Sequence, residues 1–279
     1  MKKLSHLKHF YQNSQLDKRE IDLILCHVLE ISTAQLMIYD KEITQDQKKQ
    51  IDTFLKQRQA GKPYAYIVGR QAFWTLDLIV NKHTLIPRPE TELIVELVLS
   101  MTDKEYKGKI LDLGTGTGAI ALSIASERKK AKITAIDFSQ KCIQTALENR
   151  EKYNISNVSI EQSNWFDRLS KENTFNFIVS NPPYIDEDDE HLKELSYEPL
   201  SALTAKKKGY SDIYKIIEHA KDYMEDNAWI ILEHGYNQHK KIQSFLHDNC
   251  YKNIKTVKDL AEIPRITIAQ WQNLAIIKQ

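Results

Sequence analysis

From Lys109 onward, short apolar runs alternate with helical stretches, and this alternation constrains the fold more than any other feature of the 279-residue chain. Ile110–Leu113, Ile133–Ile136, Phe177–Val179, Trp229–Leu232, Thr256–Val257 and Arg265–Ala269 read as strands, with Leu274–Ile277 as a last candidate. Helical patterns lie between them, as in Ile120–Arg128, Gln140–Tyr153 and Ile213–Met224. Alternation of this kind predicts an α/β fold with a mainly parallel sheet. The last two runs lie too close for a helical crossover and should pair antiparallel.

Residues 1 to about 75 read differently. Ile21, Leu25, Val28 and Leu29 recur at helical spacing, as do Ile51, Phe54 and Leu55. Ser32 or Thr33 can cap one helix, and Thr44 another, with Gln47 in the capping-box position. We read a small helical domain over 1–75, a hairpin-like linker over 76–86, and a larger domain over 87–279. The strand-like alternation begins as early as residue 66 and includes Phe73, Trp74, Leu76, Leu78, Ile79 and Val80. Pro87 and Pro89 then hold the chain extended ahead of the apolar run Leu93–Leu99.

The 39 basic and 38 acidic residues nearly cancel, so there is no global attraction to nucleic acid or to an anionic membrane. Three widely spaced cysteines without a CxxC pair argue against a disulfide framework and a zinc site. No metal is expected. No apolar run approaches the roughly 20 residues that span a bilayer, and Met1-Lys2-Lys3 does not open a signal peptide. A cytoplasmic monomer is the expectation, with no nucleic-acid or membrane partner.

The protein has eight glycines, and Gly114, Gly116 and Gly118 fall in one segment, Asp112-Leu113-Gly114-Thr115-Gly116-Thr117-Gly118, at the end of the first α/β strand. Glycine lets the backbone turn tightly and approach a ligand, and a helix starting at Ala119 would aim its free N–H groups at it. Asp137 ends the second strand, where a carboxylate can accept from two ribose hydroxyls. Loop and acid together indicate a nucleoside cofactor. They leave S-adenosylmethionine and a nicotinamide or flavin nucleotide equally open. Trp165, after the third strand, can lie against a purine or belong to the core.

The fourth strand runs into Asn181-Pro182-Pro183-Tyr184 at the switch point of such a sheet. The Asn181 side-chain carbonyl can accept one N–H of an incoming –NH2 group, and the Pro182 carbonyl the other. The prolines fix the backbone that presents these acceptors, and Tyr184 can stack on a flat amide or base. A carboxamide nitrogen is a poor nucleophile because its lone pair is delocalised. Holding both N–H bonds turns that pair toward an electrophile, and orientation of this kind supplies on the order of 7–11 kcal/mol. Methyl transfer to a planar nitrogen fits these groups, and hydride transfer does not use them. A nicotinamide-dependent oxidoreductase or a non-catalytic nucleotide-binding module is the rival of another class.

Val68-Gly69, Phe73-Trp74, Thr84-Leu85-Ile86-Pro87-Arg88-Pro89-Glu90-Thr91-Glu92, Asp112 to Ile120, Asn181 to Asp186, Glu198-Pro199-Leu200, Ala202-Leu203 and Glu233-His234-Gly235 together resemble the HemK/PrmC family. That family comprises protein-(glutamine-N5) methyltransferases of class I peptide chain release factors. The resemblance implies a seven-stranded class I S-adenosylmethionine-dependent methyltransferase domain of Rossmann-like form, and a small all-helical N-terminal domain that helps hold the protein substrate. It implies that Gly114, Thr115, Gly116, Thr117 and Gly118 carry the methionine part of the cofactor, that Asp137 takes the ribose, and that Trp165 lies by the adenine. Asn181 would face the cofactor as well as the substrate. Asn181, Pro182, Pro183 and Tyr184 would bind the glutamine of a Gly-Gly-Gln motif, with Asn181, Pro182 and Tyr184 catalytic. Methylation of a ribosomal-protein glutamine and of adenine N6 in nucleic acid are the alternatives. Asp259 to Arg265 lacks the glycines the family often has at the C-terminal hairpin, so a different turn is expected there. Asp186 to Glu190 and Lys206 to Lys208 read as solvated loops, Glu233-His234 as hydrogen-bonded structure, and Arg88 as an anchor for its segment.

Overall fold

The computed structural model of the chain describes residues 10–11 and 16–272. The chain divides into two compact units, Met1–Arg70 and Gln71–Gln279.

The first unit is helical: α1 (Lys18–Leu29), α2 (Thr33–Met37), α3 (Gln45–Gln59) and α4 (Tyr64–Val68). Ser32 with Gln35, and Thr44 with Gln47, form reciprocal capping boxes, each contributing about 1 kcal/mol. Ile21, Ile24, Leu25, Val28 and Leu29 of α1 pack with Leu36, Ile51 and Leu55 into its core. The strand-like reading of 66 to 69 does not hold. Pro63 starts α4 and Gly69, at φ 74°, ends it, so Tyr66, Ile67 and Val68 are helical.

A two-stranded sheet of β1 (Arg70–Phe73) and β2 (Leu76–Ile79) follows. Then come α5 (Glu92–Ser100), β3 (Lys109–Leu113), α6 (Ala119–Glu127), β4 (Lys132–Asp137), α7 (Gln140–Lys152), β5 (Val158–Gln162) and β6 (Phe175–Ser180). A small ladder joins β7 (Ile185–Asp186) to β8 (Thr204–Ala205). The chain continues through α8 (Ser211–Ala220), β9 (Met224–Glu233), α9 (His239–Asp248), β10 (Lys252–Lys258) and β11 (Pro264–Gln270).

The main sheet has seven strands in the order β10-β11-β9-β6-β3-β4-β5. β9, β6, β3, β4 and β5 run parallel, and β11 lies antiparallel between β9 and β10. Alternate residues of the strands feed two cores. Ile110, Val179 and Ile231 pack with α5 and α6 on one face. Leu111, Leu113, Ile178 and Ile230 pack with α8 and α9 on the other. This is the doubly wound α/β class expected from the alternation.

Two differences from the sequence reading have simple causes. The helix assigned to 213–224 stops at Ala220, a 3-10 turn follows, and Met224 already pairs with Phe175 in β9. Glu225, Asp226 and Asn227 of β9 are exposed, so they carry no apolar signal. The C-terminal hairpin is β10 with β11, and the candidate Leu274–Ile277 lies outside the described residues.

Candidate active site

The sheet register gathers the chemistry on one edge. Ile136 pairs with Leu113, Leu113 with Ser180, and Ser180 with Leu232. The next residue on each strand, Asp137, Gly114, Asn181 and Glu233, therefore stands in one row at the carboxyl ends, where open α/β sheets bind ligands. Ser180 Oγ donates to the Leu113 carbonyl (2.7 Å) and ties two of these ends together.

Gly114, Gly116 and Gly118 all adopt positive φ, at 75°, 56° and 84°. A Cβ on Gly116 would meet nothing within 4 Å, so its backbone faces open space, whereas one on Gly118 would strike Leu122 at 2.8 Å. Gly116 thus leaves room for close approach of a ligand, and Gly118 serves packing of α6. Asp112 is fully buried and fastens the loop. Its Oδ2 accepts from Thr115 Oγ1 (2.6 Å) and Ala121 N (3.3 Å), while Oδ1 has no protein partner. Burial pushes its carboxyl up to about 7 against those hydrogen bonds.

Asp137 accepts from Gly116 N (2.9 Å) through Oδ2 and from Ser139 N (2.8 Å) through Oδ1. Burial raises its carboxyl, and the backbone N–H groups oppose this. Trp165 sits at φ 52° in a turn held by Ser163, whose hydroxyl donates to the Trp165 carbonyl (2.8 Å) and accepts from Arg168 N (3.1 Å). The indole lies over Gly114 and is hydrogen-bonded to Asp212, at the first turn of α8.

A cleft of about 290 Å³ joins Gly114, Gly116, Asp137, Trp165, Asn181 and Pro183. This lies near the lower end of small-molecule sites, roughly 300–1,000 Å³. Phe138, Ser201 and Asp212 also line it. The sequence reading passed over all three, although Phe138 directly follows Asp137 and is half exposed. Thr115, Thr117, Gly118, Pro182 and Tyr184 are not among the cleft's lining residues. Thr115 and Thr117 are buried, and the Thr117 carbonyl accepts from Asn149 Nδ2 (3.0 Å). That side chain also bonds both backbone groups of Ile79, so it braces the loop against β2.

Asn181 Nδ2 donates to Thr91 Oγ1 (3.0 Å). Tyr184 places its hydroxyl 3.3 Å from Glu233 Oε1, and burial together with that carboxylate holds the phenol well above its ordinary range. The Tyr184 carbonyl accepts from Gln238 Nε2 (3.0 Å), and a Cβ on Gly209 would strike it at 2.0 Å. His234 is buried and its imidazolium is disfavoured, down to about 4, because burial penalises the charge. It contacts Thr267 Oγ1 (2.8 Å) and the Gly235 carbonyl (3.0 Å), which makes it structure, as expected. His191 pairs with Asp189 on the exposed stretch after β7.

Arg88 pairs with the buried Glu198, which also accepts from Ile86 N (3.0 Å). Arg88→Ala strands that carboxylate with one donor. Because Arg88 is a third exposed, the expected loss is about 1–3 kcal/mol of unfolding free energy. Urea denaturation measures it, and an unchanged midpoint would deny Arg88 the anchoring role.

These features have counterparts in known proteins. Residues 104–275 match the model of a methyltransferase domain, and residues 4–69 match the PrmC N-terminal domain. Release factor glutamine methyltransferases from Shewanella oneidensis and Aliivibrio fischeri are 43% and 40% identical over 258 and 260 residues. Each alignment spans 91% of this chain, and 90% and 91% of the respective relative. The chain belongs to the release factor glutamine methyltransferase family. It is an enzyme of the methyltransferase class. A solved methyltransferase from Pyrococcus furiosus shares the fold at TM-score 0.57 and 22% identity, over 78% of this chain and all of that one. Among the described residues no helix is long and apolar enough to cross a membrane.

Proposed function

We propose that this methyltransferase acts in the cytoplasm as a monomer. Its reaction moves a methyl group from S-adenosylmethionine to the side-chain N5 of the glutamine in the Gly-Gly-Gln motif of class I peptide chain release factors. The observation that carries this reading is the placement of Asn181 at the strand end beside Gly114, with its amide nitrogen bonded to Thr91 and its carbonyl left for an incoming N–H. The residues also fit the cofactor. Gly116 leaves backbone room, Asp137 keeps acceptor capacity on both oxygens, and the Trp165 indole is held in the cleft by Asp212.

S-adenosylmethionine, when bound, would supply an electrophilic sulfonium methyl for the amide nitrogen, with the neutral thioether as leaving group and the nitrogen's proton passing to solvent. The protein orients that nitrogen. Asn181 Oδ1 and the Pro182 carbonyl accept its two N–H bonds, which turns the lone pair out of conjugation. Tyr184 covers the amide plane. Gly114 and Gly116 would hold the methionine part, Asp137 the ribose and Trp165 the adenine, while Thr115, Thr117 and Gly118 shape the loop from outside the cleft.

Labelled methyl should enter a purified release factor and fail to enter one whose motif glutamine is replaced by alanine. Ribosomal proteins and DNA incubated in parallel should stay unlabelled. Label in either of those, with none in the release factor, overturns the assignment.

A further inference from the structure

Thr91 stands between Asn181 and a buried carboxylate. Its Oγ1 donates to Glu233 Oε2 at 2.7 Å and accepts from Asn181 Nδ2 at 3.0 Å. A hydroxyl has one proton to give. While the Thr91 proton is spent on an ionised Glu233, the hydroxyl can only accept on its other side. Asn181 must then turn its NH2 toward Thr91, which leaves Oδ1 for the substrate. Protonating Glu233 removes this constraint. The carboxylic acid can donate to Thr91, Thr91 can donate to Asn181 Oδ1, and the amide turns over to present NH2, a donor, to another donor.

We propose that Glu233 is a positioning residue that sets, through Thr91, which end of the Asn181 amide faces the substrate. The idea rests on the glutamine-methylating function proposed above. It assigns Thr91 and Glu233, at opposite ends of the sequence motifs, to one three-membered chain. Burial pushes the Glu233 carboxyl up to about 7, against the hydrogen bonds from Thr91 and Tyr184 and the nearby Arg265. The switch therefore lies within the working pH range. The groups facing Glu233 are Tyr184 from the loop after β6, Arg265 from β11, and Glu90 beside Thr91. Tyr184 stays a phenol across this range and Arg265 stays a cation.

Two measurements test the chain separately from the reaction. In the free protein, the side-chain NH2 resonances of Asn181 should titrate with a midpoint near 7, and Glu233→Gln should abolish that titration. A flat Asn181 signal in the wild-type protein overturns the proposal, whatever the substrate turns out to be. A titrating signal without methyl transfer to a release factor instead defeats the functional reading alone.

In turnover, kcat should fall about tenfold per pH unit below the midpoint, and Glu233→Gln should flatten this acid limb. Burial also raises the carboxyls of Asp112, up to about 7, and of Asp137, so an acid limb that survives in Glu233→Gln belongs to another carboxyl and overturns the assignment. Thr91→Val should cost at least about tenfold in kcat with KM for the release factor within about threefold, and Thr91→Ser should restore the rate. Equal rates in all three would show that the contact only packs.

Discussion

Replacing Asn181 by alanine should lower kcat for methyl transfer by about 10²–10³-fold while leaving the affinity for S-adenosylmethionine within about threefold. An amide nitrogen attacks only when its N–H bonds are held so that the lone pair leaves conjugation, and in the proposed reaction Asn181 Oδ1 is the side-chain acceptor that does this. Loss of one positioned polar group in a water-poor site costs about 2.7–4 kcal/mol of barrier. The cleft proposed for the cofactor is lined mainly by other residues, so the cofactor's affinity changes little. Asn181→Asp should not rescue the rate, although it keeps an acceptor oxygen at that position. Thr91 already gives its proton to Glu233, so a carboxylate at 181 would face the Thr91 oxygen with no donor between them. Steady-state kinetics and calorimetry of cofactor binding decide the point. A collapse of affinity with kcat preserved would move Asn181 from substrate to cofactor.

The parts of this site that were legible in the sequence are those written in consecutive residues. Strands around Ile110–Leu113 and Ile133–Ile136 announced themselves by apolar runs, as the capping boxes at Ser32 and Thr44, which belong to the other unit and not to the site, did by spacing alone. Glycine loop, Asp137 and the Asn181 loop followed from strand ends. What was not legible depends on register. Thr91 and Glu233 lie 142 residues apart, and only the pairing of Ser180 with Leu232 brings Glu233 beside Asn181.

The C-terminal hairpin shows a related limit. Asp259 to Arg265 has no glycine, yet the turn closes. The Asp259 carboxylate accepts from Ala261 N (2.9 Å), Ile263 N (3.0 Å) and Arg265 Nε (2.9 Å), and Glu262 takes the left-handed backbone at φ 61°. A side chain here does the work that backbone freedom does elsewhere. The helix read through Met224 failed for a similar reason, because pairing with Phe175 outweighs the local periodicity.

Asp137→Ala should have the complementary effect to Asn181→Ala, weakening S-adenosylmethionine by about 10²-fold and leaving kcat at saturation nearly unchanged. Two hydrogen bonds to an ionised acceptor contribute about 1.5–3 kcal/mol each, and solvent replaces part of that in the variant. Asn at this position should be no better than Ala. Both carboxylate oxygens already accept backbone N–H groups, from Gly116 and from Ser139, and an amide has one oxygen for two donors. Its NH2 would face one of those N–H groups and push the glycine loop or the start of α7 out of place.

The pH dependence has a definite sign. In the proposed site the ribose hydroxyls need the Asp137 carboxylate, and burial raises that carboxyl above its ordinary value. Affinity is therefore full at high pH, and its decline on acidification begins at a higher pH than an exposed aspartate would give. Calorimetric titration of cofactor across the acid range, with Asp137→Ala as the flat reference, measures both the loss and its onset. Cofactor affinity that is equal in wild type and variant would remove Asp137 from the cofactor site and leave it as the fastener of the Gly116 turn.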